Sequence, residues 1–235
     1  VFTAEQVVQT KTTSEGYYDF NTLWNMYPKK RHVLTNPENK YHVIKTYEEG
    51  VRLLEEWKNA KTRFKCIDVE SYDKKWYPGS SNRITGVILG YDEHWGVYFP
   101  FRQEKFDYNL PLEFLRQIFD AVNNQPEDVW IIAHNGIFEI EAFLQEFREI
   151  LRIDVDTMLL SKLVYPSKYD DHSLKGLSEM LTGDEYLELK DIFKGKIRFN
   201  ILPEDIVKWY ACPDATNPVK ILKILLKKLP EDERA

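Results

Sequence analysis

Three acidic signatures follow one another along the chain: Asp68-Val69-Glu70, then Asn135 with Glu139 four residues on, then Tyr210-Ala211-Cys212-Pro213-Asp214. Each puts a carboxylate at the end of a regular element, so folding can gather four acids at one point. A cluster of that kind repels itself unless divalent cations sit in it. Acids around paired metals are a standard machinery for cutting phosphodiester bonds.

The spacing within each signature carries its own argument. On a strand, residues two apart face the same way, so Asp68 and Glu70 share a side while Val69 enters the core. The same Asp-x-Glu also suits a strand end drifting into solvent. Glu139 falls in a first helical turn, where the macrodipole favours an anion, and Asn135 suits a helix cap. That junction ends a buried strand, which is also where open α/β sheets place their sites. Tyr210 and Asp214 are four apart and share a helix face, although Pro213 either ends that helix or opens a new one. A core tyrosine beside a surface cap is the alternative reading of that pair.

The elements that must position these residues are legible from periodicity. Residues 41–44 read as a short strand, and 46–58 as a helix capped by Thr46. Strands are expected at 64–70, 85–91 and 95–101, with Asp92-Glu93-His94 turning between the last two. A helix at 112–123 precedes Val129 to Ala133, an apolar run typical of a strand buried on both faces. The following helix starts near Gly136 with Ile140, Phe143, Leu144, Phe147 and Leu151 on one stripe. A strand at 153–155 leads to a helix at 157–164, with Asp156 as its N-cap. Further helices are expected at 173–181, 203–211 and 218–229. The pattern gives a mixed α/β sheet with helices packed on it.

Composition narrows the field. The 235 residues are 43% hydrophobic and 30% charged, with net charge −6. That balance argues against a basic coat for gripping duplex DNA, so any contact with a polyanion must be local. No apolar run approaches the ~20 residues of a membrane helix. Cys66 and Cys212 form neither a metal-ligand spacing nor a disulfide framework, which fits a reducing, cytoplasmic setting. His134 has no partner at triad spacing, and no phosphate-cradling glycine loop is present.

With the three signatures in this order, residues 41–229 resemble the proofreading 3′–5′ exonuclease domain of family A DNA polymerases, the tyrosine-bearing branch of the four-carboxylate exonucleases. Ile67 to Ser71, Ala133 to Glu139 and Tyr210 to Asp214 are similar to its three motifs. Asp156-Thr157-Met158-Leu159 and His172 to Leu177 are similar to its intervening helix starts. The loop Lys194-Gly195-Lys196, with Phe199-Asn200 after it, is a polymerase-type signature that argues against ribonuclease D. One departure stands out: the family's second motif ends in aspartate, whereas this chain has Glu139. The longer side chain moves the carboxylate by roughly a bond length, against a tolerance of about 0.5 Å in such constellations.

The resemblance implies a ribonuclease H-like mixed β-sheet flanked by α-helices and two divalent cations, Mg²⁺ or Mn²⁺. Asp68, Glu70 and Asp214 would bind the first cation, with Asp68 bridging to a second that Glu139 supports. Tyr210 and Glu70 would orient water at the terminal phosphate of a single-stranded DNA 3′ end. Asn135, Phe138, Tyr72, Trp76, Lys194 and Lys196 are the expected DNA contacts, and a family A polymerase domain, in cis or trans, is the expected partner. No membrane association is expected, and the setting would be the cytoplasm of a bacterial or phage-infected cell. Residues 1–40 read as an extension or linker and 230–235 as a charged tail at a domain boundary. Two alternatives accompany this reading: a catalytically weakened domain that guides DNA for a polymerase, and an RNA exonuclease.

Overall fold

The computed structural model describes residues 37–72, 81–166, 171–183 and 198–229. Six strands form one sheet in the order β1-β4-β3-β2-β5-β6. They are β1 (Lys40–Val43), β2 (Phe64–Ser71), β3 (Ile84–Gly90), β4 (Trp95–Pro100), β5 (Trp130–Ala133) and β6 (Val155–Asp156). β2, β3 and β4 form an antiparallel meander, while β1 pairs parallel to β4, β5 to β2 and β6 to β5. The mixed α/β sheet expected from sequence is therefore the observed one.

Six α-helices accompany the sheet among the described residues: α1 (Tyr47–Asn59), α2 (Leu112–Asn123), α3 (Ile137–Phe147), α4 (Thr157–Val164), α5 (Leu174–Thr182) and α6 (Glu204–Leu226). Their starts are written in local chemistry. The Thr46 hydroxyl accepts from the Glu49 N–H, Asp156 accepts from Met158 and Leu159, and Ser173 accepts from Gly176. Each satisfies backbone donors that a helix start leaves unpaired.

The sheet separates two apolar layers. Ile67, Val69, Val87, Leu89, Val97 and Phe99 face α1, α2 and α3, with Trp57, Phe114 and Phe143 among the buried side chains. Cys66, Ile88, Tyr98 and Ile132 face α6, packed against Val207, Ala211, Cys212, Ala215 and Val219. α5 closes on the far side of α6 through Leu177, Ile221 and Leu225.

Two expectations need correction. Residues 203–211 and 218–229 are not separate helices: α6 runs unbroken from Glu204 to Leu226 with Pro213 and Pro218 inside it. A proline forfeits one hydrogen bond and crowds the preceding turn, a cost of ~3 kcal/mol in a free helix. Here residues 211–213 and 215–219 are all buried against the sheet and α5, and that packing holds the helix together. In α3 the buried face is Glu139, Ala142 and Phe143, while Leu144, expected on the core stripe, is 41% exposed. The helix is rotated so that an acid, rather than a leucine, meets the sheet.

α6 can lie close to the sheet because of two glycines that face each other across β3 and β4, Gly90 and Gly96. A Cβ on Gly90 would stand 2.5 Å from the Ala215 carbonyl oxygen, and one on Gly96 would stand 3.0 Å from that of Cys212. The backbone of α6 occupies the space that side chains there would fill.

Candidate active site

β2 carries the first pair of acids. Val69 is 4% exposed in the α3-side core, so Asp68 and Glu70 project from the opposite face, toward α6. α6 brings Tyr210 and, one turn later, Asp214 to the same place, since the helix continues through Pro213. One carboxylate oxygen each from Asp68, Glu70 and Asp214 lies within 4.8 Å of the others, a spacing that a single cation can span.

Glu139 arrives from the other layer. β5 pairs with β2 only as far as Cys66, so β2 runs on past its neighbour toward Asp68 and Glu70. Beyond β5 the chain turns through Asn135, in the left-handed region at φ 66°, and enters α3. Asparagine tolerates that conformation better than most residues. Glu139 is 2% exposed and within reach of the Val69 N–H, which favours its charged form. It stands outside the group of three but close enough for the Asp68 charge to act on it.

The turn before α3 is fixed from β6. Asp156 accepts from the N–H groups of Asn135 at 3.1 Å and Gly136 at 2.9 Å, in addition to capping α4. Its sequence neighbourhood shows only the cap. His134 bonds the Thr157 hydroxyl at 2.9 Å, a structural contact consistent with its lack of a triad partner.

Electrostatically the acids form a strained set. Burial first, then Asp214, holds the Asp68 carboxyl well above the usual carboxylate range, and burial followed by Asp68 and Asp214 does the same for Glu70. Burial followed by Asp68 raises Glu139, and burial pushes Asp214 up to about 6. Oδ1 of Asp214 and Oε2 of Glu139 are buried with no hydrogen-bond partner among the described residues. Unpartnered buried acceptors are costly, and a divalent cation relieves both the desolvation and the mutual repulsion. The donors are all hard carboxylate oxygens, a set that fits Mg²⁺ or Mn²⁺.

Among the expected nucleic-acid contacts, Asn135 occupies the turn above Glu139, Phe138 is half-buried against the core, and Tyr72 is half-buried at the end of β2. Trp76, Lys194 and Lys196 lie outside the described residues, as do residues 1–36 of the expected extension. Sequence reasoning passed over Lys175, whose ammonium bonds the Tyr210 hydroxyl at 3.2 Å. A signal was available, because lysine in the first turn of a helix opposes the macrodipole.

A model of the 3′–5′ exonuclease family matches residues 41–230. No curated protein matches the sequence significantly. Solved structures share the fold. Brucella melitensis NrnC superposes with TM-score 0.57 at 16% identity, covering 83% of this chain and 84% of that one. Escherichia coli RNase D, an exoribonuclease involved in structured RNA processing, gives 0.57 at 16%, covering 80% and 45%. The catalytic core of Trypanosoma brucei RRP6 gives 0.57 at 13%, covering 96% and 52%.

Proposed function

This chain belongs to the 3′–5′ exonuclease family, and on that premise we propose that it is a metal-dependent exodeoxyribonuclease. It removes deoxynucleoside monophosphates from single-stranded or frayed DNA 3′ ends and proofreads for a family A polymerase, in cis or trans. The observation that carries the reading is the meeting of Asp68, Glu70 and Asp214 oxygens within 4.8 Å, with Tyr210 one turn before Asp214 on the same helix.

The residues present fit a cation: Asp68, Glu70 and Asp214 would hold one ion, and Glu139, with its unpartnered oxygen beside Asp68, would support a second. Bound Mg²⁺ or Mn²⁺ supplies Lewis acidity, acidifying water and neutralising charge on the departing oxygen. Tyr210 and Glu70 orient the attacking water at the terminal phosphodiester. The water oxygen bonds to phosphorus, the bond to the 3′ oxygen of the preceding nucleotide breaks, and that oxygen takes up a proton. A mismatched terminus reaches the site more readily because it unpairs at lower cost. No helix among the described residues is long and apolar enough to cross a membrane. The proposed setting is the cytoplasm of a bacterial or phage-infected cell.

The test is degradation of 5′-labelled single-stranded DNA and of the matching RNA with Mn²⁺. Stepwise loss of mononucleotides from DNA, faster than from RNA and abolished in Asp68→Ala, is the expected result. Faster loss from RNA would make the chain an exoribonuclease. No cleavage at high enzyme concentration would leave a DNA-guiding domain weakened by Glu139.

A further inference from the structure

Lys175 stands in the first turn of α5, directly after the Ser173 cap and Leu174. A cation there faces the positive end of the helix dipole, which costs about 0.3–1 kcal/mol. Its side chain nonetheless turns inward. The ammonium donates to the Tyr210 hydroxyl at 3.2 Å and lies 4.4 Å from the centre of the Tyr210 ring. It forms no ion pair with any described acid, although its positive charge acts on Asp68, Glu70 and Asp214 together. A half-buried lysine beside three acids, bonded to the Tyr210 phenol and with no ion-pair partner among the described residues, is poised for a ligand that carries its own negative charge.

The charge count indicates which ligand. Four carboxylates bring −4 and two divalent cations bring +4. A phosphodiester at the site therefore leaves one uncompensated negative charge, and one ammonium cancels it. Lys175 stands beside Tyr210, the residue the proposed reaction places at the scissile phosphate.

We propose that Lys175 is a substrate-binding residue of this site, its ammonium donating to a non-bridging oxygen of the terminal phosphodiester beside the Tyr210 phenol. The proposal rests on the exonuclease reading and extends it. An ammonium is a point donor and makes no base-specific contact, so the residue grips every 3′ end alike. Its role belongs to binding as well as to turnover, because the contact exists before the bond breaks.

The test uses fluorescence anisotropy of a single-stranded DNA oligonucleotide on the full chain, with Ca²⁺ in place of a catalytic metal. The variants are Lys175→Met, Lys175→Arg, Tyr210→Phe and the Lys175→Met/Tyr210→Phe pair. Loss of one charge-assisted hydrogen bond predicts binding about tenfold weaker in Lys175→Met, with most of it restored in Lys175→Arg. The same loss should persist in the Tyr210→Phe background. If it vanishes there, Lys175 acts only by holding the phenol, and the proposal is overturned. Equal binding by wild type and Lys175→Met, with normal cleavage in Mn²⁺, also overturns it while leaving the exonuclease reading intact. If the wild type neither binds nor cleaves DNA, the exonuclease reading itself fails.

Discussion

The Asp156 carboxylate and the Gly136 N–H meet at 2.9 Å, tying the end of β6 to the turn that launches Glu139. The same carboxylate serves Asn135, Met158 and Leu159, so one side chain fixes the starts of both α3 and α4. Asp156→Ala removes a cap and two turn contacts at once. It should lower stability by about 2 kcal/mol or more, read by urea unfolding. Asp156→Asn keeps one oxygen for the α4 cap but loses an acceptor. It should retain most of that stability while still cutting exonuclease activity, because the turn above Glu139 loosens. Full activity in Asp156→Asn would show that the turn needs no such anchor.

The close approach of α6 to the sheet gives a second expectation. Gly90→Ala places a methyl group 2.5 Å from the backbone oxygen of Ala215, the residue after Asp214. Backbone rather than a flexible side chain must yield, so a loss of about 1–3 kcal/mol follows. Activity should fall further than that of a surface variant of equal stability, since Asp214 moves with the helix. Thermal unfolding and cleavage rate, measured together, separate the two effects.

The burial of the acids predicts an inverse relation between stability and activity. Asp214 is pushed up to about 6 by burial, so above that pH its ionised form opposes folding when no cation is bound. The opposition fades as pH falls from there toward 3.8. Asp214→Asn should therefore raise stability in EDTA at neutral pH, by about 1–3 kcal/mol, and abolish cleavage. A destabilised variant under those conditions would mean that the carboxylate is well satisfied without metal.

His134 gives the opposite pH trend. Burial lowers its imidazole from 6.5 to about 4, so the unfolded chain binds the proton first. Stability from this group is complete above pH 6.5 and drains away as pH falls toward 4, by up to about 3 kcal/mol. Urea unfolding at several pH values should show a shallower acid loss in His134→Gln than in wild type. Parallel curves would exclude the imidazole as the source.

What the sequence disclosed is local, and what it concealed is long-range. The caps at Thr46 and Asp156 and the helix start near Ser173 depend on one side chain and the next few N–H groups, so each was legible. The acids of β2 were legible as a pair because a strand alternates, with Val69 inward. The unity of α6 was not, because Pro213 and Pro218 break helices locally and only burial on both sides overrides them. Nor was the second role of Asp156, which joins turns 20 residues apart, or the meeting of Lys175 with Tyr210 across 35 positions. The glycine bed beneath α6 needed the strand register before Gly90 and Gly96 could be seen as one surface.

The proposed activity requires Asp68, Glu70 and Asp214 to form a centre that captures a divalent cation. Titration of the metal-free protein with Mn²⁺, followed by the electron paramagnetic resonance of the free ion, measures that directly. Saturable uptake of one or two ions by the wild type, lost in Asp68→Asn while that variant stays folded, is the predicted result. A folded wild type that leaves all the Mn²⁺ free, or binds it equally well without Asp68, would contradict it.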